Sequence, residues 1–187
     1  MIGLSRQRSH GRRFALAAAI LLGVSLAGCG STSAAGGDAG PEILSECVPF
    51  ARAVAEVQIH GNAADWWARA AGQYARTQAP SIGSVLVFRR TSRLPYGHVA
   101  VVSRVLSSRR ILLTHANWVP HRINEDVLSI DVSPNNDWSQ VRVWWPPLRQ
   151  MGASIYPAYG FIQTSRPLAP DQIAANARRF IMVATQN

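Results

Sequence analysis

Cys47 and His98 are the two side chains whose types and surroundings suit covalent chemistry. Cys47 begins a stretch with helical spacing, and His98 opens the valine-rich run Tyr96-Gly97-His98-Val99-Ala100-Val101-Val102. A free thiol is a poor nucleophile at neutral pH, because its pKa of about 8.5 leaves little thiolate. Unpaired N–H groups at a helix start favour the anion. An imidazole within reach takes the proton, and a third polar side chain fixes that imidazole in one tautomer. Backbone N–H groups beside the sulfur can then stabilise a tetrahedral oxyanion. His115 and Asn117 are candidates for the third place. They are two residues apart on the next predicted strand, so both should face one side of the sheet and either should reach His98. Gly97 is expected to let a substrate backbone approach closely. Trp118 follows this strand and is read as lining the cleft or packing the core.

The elements that must hold these groups are legible as periodicity. Residues 46–60 carry Val48, Ala51, Val54 and Ala55 on one helical face, with Ser45 as a cap and Gly61 as the stop. A second helical stretch is expected from Ala63 to Arg76, ended by Pro80. The pattern then turns to strands, at 84–89, 98–105, 110–116, 127–132, 141–145 and 156–163, with Ser108-Arg109 in a hairpin turn. Helices followed by five or six strands predict an α+β domain, with N-terminal helices packed on a mostly antiparallel sheet. A last helix is expected in the tail, starting near Asp171.

The first 28 residues read as a leader rather than as part of the fold. Arg6 to Arg13 form a positive segment, and Phe14 to Leu26 an apolar one too short to span a bilayer, which needs about 20 residues. The segment ends in Leu26-Ala27-Gly28-Cys29, which resembles a bacterial lipobox and marks Cys29 for acylation. Residues 29–42 are rich in glycine, serine and alanine and form a tether. The expected location is therefore the cell envelope, on a lipid anchor. The absence of aspartate after Cys29 leans towards the periplasmic face of the outer membrane, by resemblance to lipoprotein sorting. With Cys29 acylated, Cys47 has no disulfide partner in a chain of two cysteines.

All 19 basic residues are arginine, and beyond the leader 15 arginines stand against 10 acids. A surplus of that size suits an anionic polymer or head groups. No arginine run interleaves with aromatics in a nucleic-acid motif, so no nucleic-acid partner is expected. Close ligand pairs of the zinc type are also lacking, and no metal or cofactor is expected.

Four blocks carry a family resemblance. Glu46-Cys47-Val48-Pro49-Phe50-Ala51-Arg52 resembles the nucleophile helix of the CHAP domain, the cysteine, histidine-dependent amidohydrolase/peptidase family related to NlpC-type peptidases. Residues 80–88 (PSIGSVLVF) resemble its strand entry, Gly97 to Val102 its histidine motif, and Thr114-His115-Ala116-Asn117-Trp118 the strand that follows. The resemblance covers about residues 43–163, leaving 164–187 as a helical tail. It implies a papain-like core and a peptidoglycan substrate, cut at the muramoyl–L-alanine amide or at a peptide bond. It also implies Cys47 as nucleophile and His98 as base. His115 stands where many members have glutamate. A neutral imidazole can still accept from His98 but brings no negative charge. NlpC-type relatives use a histidine there, so His115 is assigned as the orienting residue and Asn117 as a supporting one. Two further readings stay open: a catalytically weak or inactive peptidoglycan-binding lipoprotein, and a cysteine hydrolase or acyltransferase acting on another amide. Whether an activator protein is needed is not legible in the chain.

Overall fold

The computed structural model describes residues 46–186. The predicted leader (1–28) and tether (29–42), with the acylation site Cys29 and the predicted cap Ser45, lie outside the described residues.

Helix α1 (Cys47–Ala55) forms where Phe50, Ala51, Val54 and Ala55 recur at helical spacing, and all four are buried. It stops at Glu56, which takes a left-handed φ of 55°. The predicted extension to residue 60 fails: Val57 and Ile59 are buried two residues apart, in a segment that is neither helix nor strand. The second predicted helix is also cut short. A 3-10 turn (Ala63–Asp65) leads into α2 (Trp66–Arg69), and Gly72 turns left-handed at φ 76° before strand β1 (Arg76–Thr77).

The remaining strands are β2 (Val85–Phe88), β3 (His98–Ser107), β4 (Arg110–Ala116), β5 (Ile123–Asp131), β6 (Gln140–Trp145), β7 (Gln150–Met151) and β8 (Tyr156–Ile162). Their pairings overturn the expected papain-like core of helices packed on a sheet. The order β8-β2-β3-β4-β5-β6 returns to β8, because Gln140 and Val141 of β6 pair with Pro157 and Tyr156. The six strands close an antiparallel barrel, with β1 and β7 as two-residue additions. Irregularities in β8 opposite Val87/Phe88, where Tyr159 is the extra residue, and at Val102/Arg104 in β3 bend the strands into the curve. Closure leaves those six strands no open edge.

Closure also explains why β2 is buried along its whole length. Leu86 and Phe88 face the barrel interior, with Ala100, Val102, Ile111, Leu113, Val127 and Phe161. Val85 and Val87 face outward and are covered by α1 and by α3 (Pro170–Ala184). Helix α3 is the expected tail helix. It docks on α1 through a Phe50–Phe180 edge contact at 5.3 Å, and Asn176 Nδ2 donates to the Val54 carbonyl at 3.1 Å. Among the described residues no helix is long and apolar enough to cross a membrane.

Candidate active site

Cys47 is the first residue of α1 and is almost wholly buried. Pro49 has no N–H to offer, so the open donors of the first turn are those of Cys47 and Val48. His98 is the first residue of β3 and continues the inward-facing row of Ala100 and Val102. His115 continues the inward row of Ile111 and Leu113 on β4. The two imidazoles meet at the mouth of the barrel, His98 Nε2 lying 3.1 Å from His115 Nδ1. Trp118 seals the pair. It stacks on His115 at 5.5 Å and meets His98 edge-on at 5.2 Å.

Cys47 and His98 open onto one cleft of about 520 Å³, also lined by Glu46, Asn62, Arg93 and Asn117. The backbone N–H groups of Val99, the residue after the histidine, and more weakly those of Cys47 and Val48, favour the anion of the sulfur. No hydrogen bond joins the thiol directly to either imidazole. Burial dominates the protonation states. It pushes the Cys47 thiol up to about 11, against the pull of the Val99 N–H, and the Glu46 carboxylate adds to the rise. Burial alone holds His98 down at about 3. Burial and then the neighbouring His98 keep His115 well below the usual imidazole range. The resting site is therefore a neutral thiol beside neutral imidazoles, not the ion pair that a helix start and an adjacent base suggest.

The other candidates are placed differently from expectation. Strand β4 ends at Ala116, and Asn117 turns left-handed at φ 60°. The alternation that would set Asn117 facing His98 ends with the strand. Its Nδ2 donates to Glu46 Oε2 at 2.9 Å, and its Oδ1 accepts from the His121 N–H at 2.9 Å. Asn117 thus lines the cleft and holds Glu46, the residue before Cys47, without touching His98. Gly97 also lines the cleft, but the space of its missing side chain is taken by the protein. A Cβ there would sit 2.6 Å from the Ala64 nitrogen and 2.8 Å from the Phe88 carbonyl oxygen. Trp118 lies behind the histidines and lines a separate cavity of about 330 Å³ with Trp145 and Tyr156. Among the described residues no group of three His, Cys, Asp or Glu side chains is placed to hold a metal ion.

Two participants were missed from the sequence. The Val99 N–H donor is invisible because a backbone group carries no residue signature. Arg93, on the cleft wall, was readable only as an arginine five residues before the histidine.

A closed antiparallel barrel, with a thiol at a helix start and an imidazole pair at its mouth, defines the class. Residues 37–117 match the family model of the CHAP domain. The matched span includes Cys47, His98, His115 and Asn117. That domain suggests a hydrolase or amidase type of function, with peptidoglycan as substrate. No match was found among curated proteins.

Proposed function

We propose that this chain is a cysteine hydrolase that cleaves an amide or peptide bond of peptidoglycan, with Cys47 as nucleophile and His98 as base. One observation carries the reading. Cys47 and His98 line the same cleft, and His98 is anchored through Nε2 on His115. That anchor leaves Nδ1 for the thiol.

In the reaction, the Cys47 sulfur attacks the carbonyl carbon as its proton passes to His98 Nδ1. The N–H groups of Cys47 and Val48 stabilise the oxyanion. The carbon–nitrogen bond then breaks and His98 protonates the departing amine. Water attacks the thioester, giving its proton to His98, and the thiol is regenerated as the acid leaves. The neutral resting pair fits proton transfer in step with attack. A water-excluding substrate raises no charge until the carbonyl is in place. The bond is the muramoyl–L-alanine amide or a peptide bond of the stem or cross-link.

We further infer that residues 1–28 are removed and that Cys29 anchors the domain to the envelope membrane by lipid. Metabolic labelling with a fatty acid tests this. Label retained in Cys29→Ala rejects the anchor.

The test of the activity is digestion of isolated sacculi by purified protein, with mass analysis of released muropeptides. Release by wild type above that by Cys47→Ala is the expected result, and equal release defeats the proposal. A second reading, a module that binds wall peptides without cutting them, is favoured by the raised thiol pKa and the missing direct bond to His98. It predicts sacculus binding by wild type with no release of product.

A further inference from the structure

Arg93 is the junction of three concavities. It lines the cleft of Cys47 and His98, the cavity floored by Trp118, Trp145 and Tyr156, and a polar depression that it shares with Ser92 and Ser154. Its loop joins β2 to β3 and carries three arginines. Two are committed to the protein itself. Arg89 donates through Nε to the Ala158 carbonyl and lies over the Tyr159 ring at 4.3 Å, and Arg90 pairs with Asp65 at 2.8 Å. Arg93 is exposed and has no hydrogen-bond or ion-pair partner among the described residues. Among the described residues it is also the one cation of the cleft lining, since burial keeps His98 neutral. The cleft's carboxylate, Glu46, is held on the other side by Asn117.

The loop under Arg93 is pre-organised. Thr91 and Leu94 exchange backbone hydrogen bonds at 3.0 and 3.2 Å, the Gly97 N–H donates to the Leu94 carbonyl at 2.9 Å, and the Tyr96 carbonyl accepts from Ala64 at 2.9 Å. An arginine on a fixed turn loses little backbone freedom when it binds. Its planar fork matches a carboxylate with two parallel hydrogen bonds. The cavity beyond it, at about 330 Å³, is at the small end of ligand pockets, roughly 300–1,000 Å³, and has Trp118, Trp145 and Tyr156 in its lining to pack an aliphatic stem.

We propose that Arg93 is the specificity-determining residue of the cleft, binding a free carboxylate on the wall peptide next to the scissile bond, with the residue that bears it seated in the Trp118–Trp145–Tyr156 cavity. This subsite rests on the peptidoglycan reading above. A γ-linked glutamyl residue offers such a group, because its α-carboxylate is not used in the chain.

Calorimetric titration on the Cys47→Ala protein, which cannot turn over, tests it. The probes are N-acetyl-L-alanyl-γ-D-glutamyl-alanine amide, whose one charge is the glutamyl α-carboxylate, and its α-carboxamide counterpart. The carboxylate peptide should bind about tenfold more tightly. Arg93→Ala should remove that preference at unchanged melting temperature, and Arg93→Lys should keep part of it. Added salt should shrink it. Equal binding of the two peptides, binding of neither, or a preference that survives in Arg93→Ala each overturns the proposal. The two readings fail separately. An Arg93-dependent preference in a protein that does not digest sacculi keeps the subsite and rejects the hydrolase. Digestion without that preference does the reverse.

Discussion

His98 Nε2 and His115 Nδ1 lie 3.1 Å apart, and this contact fixes the tautomers of both rings if His98 is to act as a base. To take the thiol proton on Nδ1, His98 must carry its own hydrogen on Nε2 and donate it to His115. The hydrogen of His115 then sits on Nε2, which is buried and meets no acceptor among the described residues. The opposite tautomers would satisfy that nitrogen no better, and they would place a hydrogen where the thiol proton must go. The orphaned nitrogen costs stability, of the order of 1–3 kcal/mol for a buried donor. It is a local cost of holding the base in its working form.

A variant at His115 should therefore act on turnover and not on binding. His115→Leu fills the volume but cannot accept from His98, and kcat should fall by about 10²-fold. KM on soluble muropeptides should change little, because His115 does not line the cleft. His115→Asn retains an acceptor oxygen and should lose less. Steady-state kinetics on both variants checks this, with melting curves to show that they fold. Full activity in His115→Leu would remove His115 from the mechanism.

Asn117 should behave in the opposite way. Its side chain bonds Glu46 and the His121 N–H rather than His98, so Asn117→Ala should leave the pH–rate profile in place. It should cost stability instead. A left-handed alanine is disfavoured by about 1–2 kcal/mol, and glycine at the same position is not. Urea unfolding should rank wild type and Asn117→Gly above Asn117→Ala. A changed acid limb in the rate profile of Asn117→Ala would return this residue to the base.

The contrast between these two residues shows what the sequence can carry. The alternation rule placed His115 and Asn117 on one face, and it holds only while β4 lasts. The strand end at Ala116 depends on the loop pairing Asn117 N–H with the Arg122 carbonyl at 2.8 Å, a contact without a periodic signal. The barrel was missed for a similar reason. Six strands were legible from their apolar runs, but closure depends on two pairs between β6 and β8, which no local pattern records. The helices were overextended because Val57 and Ile59 fit either period until their burial is known. Cys47 and His98 could be picked out as candidates because each opens an element, and element starts have sequence signatures. The protonation states were not, because burial of the pair decides them.

Gly97→Ala tests whether the glycine before His98 serves substrate or packing. The added Cβ would lie 2.7 Å from the Ala64 Cβ and within 2.8 Å of two backbone atoms, at a φ of 73°. Neither neighbour is a flexible side-chain end, so the 3-10 turn and β2 would have to separate. Left-handed strain of about 1–2 kcal/mol adds to overpacking of about 1–3 kcal/mol. The expected loss is about 2–5 kcal/mol by chemical unfolding, with soluble yield falling in parallel. Unchanged stability together with a raised KM would restore the substrate-approach role.

The last prediction concerns pH. His98 is held at about 3 against an ordinary 6.5, so between those values the unfolded chain binds a proton that the folded chain refuses. Stability contributed by this group is complete above pH 6.5 and is lost as the pH falls towards 3. Cys47 works at the other end. Its folded value of about 11 lies above the ordinary 9.0, so between those values the unfolded chain releases a proton that the folded chain keeps. Stability falls there as pH rises. The unfolding midpoint should be highest between about pH 6.5 and 9. His98→Gln should flatten part of the acid loss, and Cys47→Ala part of the alkaline loss. The same values predict slow alkylation of Cys47 by iodoacetamide at pH 7, climbing through pH 10 without a neutral plateau. A plateau near pH 6–8 that disappears in His98→Gln would mean that thiol and imidazole form an ion pair at rest, and the neutral-pair description of the site would have to be given up.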